Sequence, residues 1–168
     1  MRIRPASIED APAVAALWTE AYSGRGNGEG RVAPYEEREF FAAAEDGEVF
    51  VAVAEGAAVG VVAVHPPAAP ERAVAGPGEA ELSRLAVAGA ARRQGVGRAL
   101  ARLAAERARL AGATAIVLWS RPYQRPAHDL YLALGYRRAP ERDSGDADGR
   151  RLVFALALGG PGSPPSYT

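Results

Sequence analysis

The chain of 168 residues has the length of one domain with a buried core. Its 20 basic and 20 acidic side chains cancel, so net charge points to neither nucleic acid nor an anionic membrane surface. The absence of cysteine excludes disulfides, thiolate catalysis, a covalent acetyl-cysteine and thiolate metal sites, and with only His65 and His128 no zinc site and no other metal is expected.

Arg2 to Pro5 reads as a short first strand. No long apolar run follows its arginines, so neither a signal peptide nor an anchor is expected, and the default is a cytoplasmic protein. Other apolar runs are strand-sized, far from the roughly 20 residues of a membrane helix. Ser7, three residues before Asp10, resembles a capping box, and Val14, Leu17, Trp18 and Ala21 recur at helical spacing, predicting a helix that ends near Tyr22. The glycine-rich stretch Ser23 to Gly30 has no periodicity and is expected to serve as a lid. A second helix is expected from Tyr35 to Glu45, where a solvated acidic face accounts for Glu36, Glu37 and Glu39.

Val49 to Ala54 and Ala58 to Val64 are β-prone runs joined by Glu55-Gly56-Ala57, which predicts a hairpin. A proline- and alanine-rich loop, Pro66 to Gly78, leads to a strand from Glu79 to Val87. The next segment predicts a long amphipathic helix from Val96 to Ala111, closed by Gly112. Val96, Leu100, Leu103 and Leu110 form its expected inner face, and Arg98, Arg102, Glu106 and Arg109 its outer one. Thr114 to Trp119 reads as a strand covered on both faces, and Pro126 to Leu134 as a short helix stopped by Gly135. Strands at Tyr136 to Ala139 and Arg150 to Leu158, with a polar turn at Asp143 to Gly149, complete the pattern. The expected organisation is one domain over 1–158 and a fraying tail over 159–168. The order β-α-α-β-β-β-α-β-α-β-β predicts an α/β fold with a mixed sheet, in which strands 79–87 and 114–119 are parallel neighbours.

The segment that points to chemistry runs from Leu85 to Arg98, where a buried strand ends, a basic loop follows and a helix opens on Gly95 and Gly97. First-turn amides have no helical partner and add to the positive end of the helix dipole, so together they attract a phosphate. Glycines let oxygens approach the backbone, and Arg92, Arg93 and Arg98 supply charge around them. Read alone, these residues fit equally a tight structural turn with a basic rim. The dinucleotide fingerprint and the P-loop are both missing.

Arg92-Arg93-Gln94-Gly95-Val96-Gly97 resembles the pyrophosphate-binding motif Gln/Arg-x-x-Gly-x-Gly/Ala of the GNAT acetyltransferase superfamily. Leu85-Ala86-Val87 resembles the strand whose backbone, in that family, pairs with pantetheine as if with an added strand. Ala127 to Tyr136 resembles a second motif that ends in Leu-Tyr-x-x-Leu-Gly-Phe/Tyr. The element order matches the family over roughly residues 2 to 158. One position departs: Gln124 stands where the family often has asparagine, seven residues before the motif tyrosine.

The resemblance implies the GNAT-like acyl-CoA N-acyltransferase fold and acetyl transfer from acetyl-CoA to a primary amine of a small molecule or peptide, by direct attack in a ternary complex. It implies a donor site at Leu85, Ala86, Val87, Arg92, Arg93, Gln94, Gly95, Val96, Gly97, Arg98, Gln124 and Tyr131. Tyr131 is the implied general acid, and Glu81, eleven residues before Arg92, the candidate base, with a water as its alternative. Strand alternation is expected to put Glu79, Glu81, Ser83 and Leu85 on one face. His128 reads as a helix-surface residue before a base, and His65 has less claim still. A homodimer enters by family analogy. A non-catalytic acyl-CoA-binding module and a transferase for bulkier acyl groups are the competing functions.

Overall fold

The computed structural model describes residues 1–23, 33–70 and 72–159. The expected lid, beyond Ser23, and the tail, beyond Gly159, lie outside the described residues. Glu55 and Gly56 both take positive φ, 51° and 80°, which turns the chain in two residues. The turn pairs β2 (Glu48–Ala54) antiparallel with β3 (Ala57–His65). Alternation then splits the apolar side chains between two cores. Phe50, Ala52, Val62 and Val64 enter one, while Val49, Val51, Val61 and Ala63 enter the other.

The first core is covered by α3 (Val96–Leu110) and α4 (Arg125–Ala133), the second by α1 (Ala11–Tyr22) and α2 (Glu37–Asp46). The remaining strands are β1 (Arg2–Pro5), β4 (Glu79–Val87), β5 (Ala115–Ser120), β6 (Arg137–Arg138), β7 (Ser144–Asp146) and β8 (Gly149–Ala157). Seven of them run in the spatial order β1-β2-β3-β4-β5-β8-β6, with β7 paired to β8. Among the described residues only the β4–β5 pair is parallel, so the sheet is mixed as expected.

Three expectations need correction. Leu110 is 61% exposed, and the buried face of α3 consists of Val96, Leu100, Ala101, Ala104, Ala105 and Ala108. Small side chains bring the helix close to the sheet: a Cβ on Gly60 of β3 would stand 2.8 Å from Val96 Cγ1 and 2.9 Å from Leu100 Cδ1. The polar turn at Asp143 to Gly149 contains a short strand, β7, because Ser144 to Asp146 pair with Gly149 to Arg151. The third correction concerns β4. Ala63 pairs with Ser83 and Val61 with Ala86, so the single residue Val62 of β3 faces Arg84 and Leu85 of β4, a bulge in which Arg84 takes φ 52°. The extra residue inverts the alternation. Ala80 and Leu82 enter the α3 core, Leu85 and Val87 pack on that same core, and Ala86 enters the other. Leu85 therefore does not share a face with Glu81 and Ser83. Among the described residues, no helix is long and apolar enough to cross a membrane.

Candidate active site

The parallel pairing of β4 with β5 extends only from Glu79↔Ala115 to Glu81↔Val117. Beyond it the two strands part, and a cleft of about 1110 Å³ opens between Leu82 to Val87 on one side and Trp119 and Ser120 on the other. Tyr22, Ser23 and Arg84 line it from the α1 face, and Arg98, Ala127, Leu130 and Tyr131 from the α3 and α4 face. The cleft is thus lined by residues from both faces of the sheet.

At the α3 end, Gly95 is the N-cap with φ 81°, a left-handed conformation that strains any residue with a Cβ. It brings no side chain to cap the first turn, whose residues Val96, Gly97 and Arg98 line the cleft. A Cβ on Gly95 would meet no protein atom within 4 Å, whereas one on Gly97 would lie 3.3 Å from Leu130 Cδ2. Gly95 keeps open space toward the cleft, and Gly97 also lets α4 approach α3. Arg92 and Arg93 stand at the rim, with Arg92 Nε donating to the Val87 carbonyl at 3.3 Å and its Nη2 3.9 Å from Glu20. Arg92, Arg93 and Arg98 by themselves outnumber Glu20 and Asp129 along the wall. Uncapped amides, a dipole and excess arginine suit a polyphosphate. Gln94 does not line the cleft; its side-chain nitrogen donates to the Ala90 carbonyl at 3.1 Å.

Two phenols reach the cleft and differ in what they are bonded to. The Tyr22 hydroxyl donates to the Leu85 carbonyl, so its proton is committed to the β4 backbone. Tyr131, 5% exposed and packed against Tyr136 and Phe154, has no hydrogen-bond partner for its hydroxyl among the described residues. Burial pushes its ionisation well above the usual phenol range, so it keeps its proton across the neutral range.

Glu81 is 3% exposed and does not line the cleft. Its carboxylate accepts the amides of Ala73 at 3.1 Å, Val74 at 2.9 Å and Ala75 at 2.9 Å. Glu79 is held by Arg142 at 2.7 Å, which lowers its ionisation, and by the Gly76 amide at 3.0 Å. Both carboxylates anchor the loop before β4. Gln124 lines the cleft with its Oε1 accepting from Ser120 Oγ at 3.1 Å and from the Arg121 amide at 2.9 Å. His128 Nε2 lies 3.0 Å from the Arg121 carbonyl and 3.1 Å from Ser120 Oγ, and burial lowers its basicity. His65, lowered chiefly by burial too, faces Ser83 Oγ at 2.9 Å.

Leu85, Ala86, Val87, Arg92, Arg93, Gly95, Val96, Gly97, Arg98, Gln124 and Tyr131 are thus brought to one cleft, while Gln94 and Glu81 are outside it. Sequence reasoning missed Tyr22, Arg84, Trp119 and Tyr123, which also line it. Tyr22 and Trp119 carry no distinguishing signal, because each extends an apolar pattern that a core explains. Arg84 is exposed to the cleft by a bulge that leaves no mark on composition.

Residues 12–136 match the model of the Acetyltransferase (GNAT) family. The chain belongs to the GNAT acetyltransferase family. Solved GNAT-fold structures resemble it over nearly its whole length. Ribosomal-protein-alanine N-acetyltransferase from Brucella melitensis is 22% identical with a TM-score of 0.74, covering 94% of this chain and 100% of its own. Phosphinothricin acetyltransferase from Sinorhizobium meliloti, a GNAT superfamily member in complex with acetyl-CoA, is 20% identical with a TM-score of 0.74, covering 98% and 92%. A putative acetyltransferase from Salmonella typhimurium with its cofactor acetyl-CoA is 18% identical with a TM-score of 0.74, covering 98% of each chain. At these identities the likeness concerns the fold. No curated protein matches the sequence. Among the described residues, no group of three or more histidine, aspartate or glutamate side chains is placed to hold a metal ion.

Proposed function

We propose that this protein is an N-acetyltransferase that moves an acetyl group from acetyl-CoA to a primary amine of a small molecule or peptide, by direct attack in a ternary complex. The observation that carries this reading is the uncapped first turn of α3, opening at Gly95 into the cleft where β4 leaves β5. Arg92, Arg93, Arg98 and the amides of Val96 and Gly97 would hold the donor's pyrophosphate, and the edge of Leu85 to Val87 that β5 does not pair with would hold its pantetheine arm. When bound, acetyl-CoA supplies an acyl carbon activated as a thioester.

Tyr131 is the residue suited to give a proton to the departing sulfur. Its phenol is protonated, faces the cleft and is committed to no other acceptor among the described residues. The amine must lose a proton as its nitrogen bonds the acyl carbon. An alkyl ammonium holds that proton up to a pKa of about 10.4. Glu81 is engaged by three amides away from the cleft, which supports a role as loop anchor and leaves water as the proton's exit. The Tyr22 bond to Leu85 fixes the β4 edge against which the donor would lie.

Calorimetric titration with acetyl-CoA, dephospho-CoA and NAD tests the donor site. Micromolar affinity for acetyl-CoA with none for NAD is expected. Failure to bind any CoA species would overturn the reading. CoA binding without transfer to any member of an amine panel would reassign the protein as an acyl-CoA-binding module.

A further inference from the structure

Half-buried arginines in this protein are generally neutralised. Arg107, Arg109, Arg138, Arg142 and Arg151 each have a carboxylate oxygen within 2.8 Å, and buried Arg121 has one at 3.0 Å. Arg72 is instead held by three main-chain carbonyls. Arg84 is different. It is half-buried in the cleft wall, and its one hydrogen bond is a long one, 3.4 Å, to the Glu39 carbonyl. Among the described residues no carboxylate pairs with it. Two aromatic faces hold it instead, with its guanidinium carbon 5.0 Å from the Trp18 ring centroid and 5.6 Å from that of Tyr35.

A guanidinium taken partly out of water without a counter-ion is costly, and cation–π contacts offset only part of that. The backbone is also strained at this residue, which takes φ 52° on the bulge, and the bulge carbonyl is bonded by Trp18 Nε1 at 2.9 Å. Arg84 is thus held in one place, with guanidinium donors still unused, on the α1 face of the cleft. That face is opposite the arginines at the start of α3. An anion that answers Arg84 therefore arrives from the side left to the acceptor.

We propose that Arg84 binds a carboxylate of the acceptor, so that the amine acetylated belongs to a small amino acid rather than to a simple alkylamine. This rests on the acetyltransferase reading above and narrows its acceptor class. A planar fork of N–H donors suits a carboxylate, and the paired charges discriminate against the amine that lacks one. Trp119 stands on the same face, pinned between the Arg121 and Arg151 guanidinium groups at 4.6 and 4.9 Å, and those two cations are already paired with Asp146. Arg84 is the cleft cation on that face still lacking a carboxylate.

The test is acetyl transfer to the twenty standard amino acids, β-alanine and γ-aminobutyrate, each set beside its decarboxylated amine. Acetyl-CoA affinity is measured separately by calorimetry. At least one amino acid should be acetylated with a kcat/KM about tenfold or more above that of its decarboxylated partner. In Arg84→Met, which keeps the stem against Trp18, that ratio should fall about tenfold or more through KM, with acetyl-CoA affinity within about twofold of the parent; Arg84→Lys should restore part of it. Preference for the decarboxylated amines, turnover of neither set, or an unchanged ratio in Arg84→Met would overturn the proposal while acetyl-CoA binding left the donor site standing. Loss of acetyl-CoA binding in the parent protein would instead remove the reading on which it rests.

Discussion

The indole nitrogen of Trp18 donates to the main-chain carbonyl of Arg84 across 2.9 Å, tying α1 to the bulge of β4. Trp18 is fully buried, so its indole N–H has no water as a substitute. This bond holds the strand at the place where it leaves β5. Trp18→Phe keeps much of the ring and removes the donor. Leaving the Arg84 carbonyl unpaired should cost about 1 to 3 kcal/mol. A lowered denaturant midpoint at constant m-value is the expected result.

Gly95→Ala separates backbone strain from space. The φ of 81° should cost the alanine variant about 1 kcal/mol, read as a fall in Tm. The added methyl meets no protein atom, so it projects into open space at the mouth of the cleft. Acetyl-CoA affinity should fall about tenfold or more, and unchanged affinity would remove Gly95 from the phosphate site.

Tyr131→Phe should leave the packing against Tyr136 and Phe154 in place, since only the hydroxyl is lost. Turnover should fall about a hundredfold or more, with acetyl-CoA affinity within about twofold. Parent-like kcat in the variant would demote Tyr131 to a packing residue.

Glu81→Gln distinguishes an anchor from a base. An amide oxygen accepts weaker bonds from Ala73, Val74 and Ala75, and the amide nitrogen clashes with one of those donors. Stability should fall by about 1.5 to 3 kcal/mol, with no change in the shape of the pH–rate profile. Loss of the acidic limb of that profile at parent stability would show that Glu81 takes the proton.

The Arg4 guanidinium grips Asp10 at 2.7 and 3.0 Å and, as the largest cause, holds its carboxyl down at about 2, below the ordinary 3.8. A depressed folded-state value means the contribution is complete above the unfolded value near 3.9 and is lost as pH falls toward 2. Thermal melts between pH 5 and 2 should therefore show a steeper acid limb for the parent than for Asp10→Asn. Superimposable limbs would show that the pair adds nothing to acid stability.

The donor half of the candidate site was legible because its parts are contiguous. Arg92 to Gly97 combine a positive-φ glycine, a helix start and basic side chains within six positions, and each has a local physical reason. The α1 face of the cleft was not legible. Tyr22, Arg84 and Trp119 come from three separate elements and look like core or surface residues in their own segments. The Glu81 expectation came from its place eleven residues before Arg92 and from strand alternation. Three amides from the preceding loop occupy its carboxylate, a contact that no alternation rule contains.

Local pattern alone determined the helices, the strands other than β7, the mixed sheet and the glycine turn. Periodicity, caps and turn residues act over a few positions and are written in order along the chain. Tertiary structure alone decided the bulge at Arg84, which inverts the inside and outside of β4 from Leu85 onward, and the parting of β4 from β5 beyond Glu81. Those features arise where α1 presses Trp18 and Tyr22 onto a strand more than sixty residues away, and no local window contains both partners.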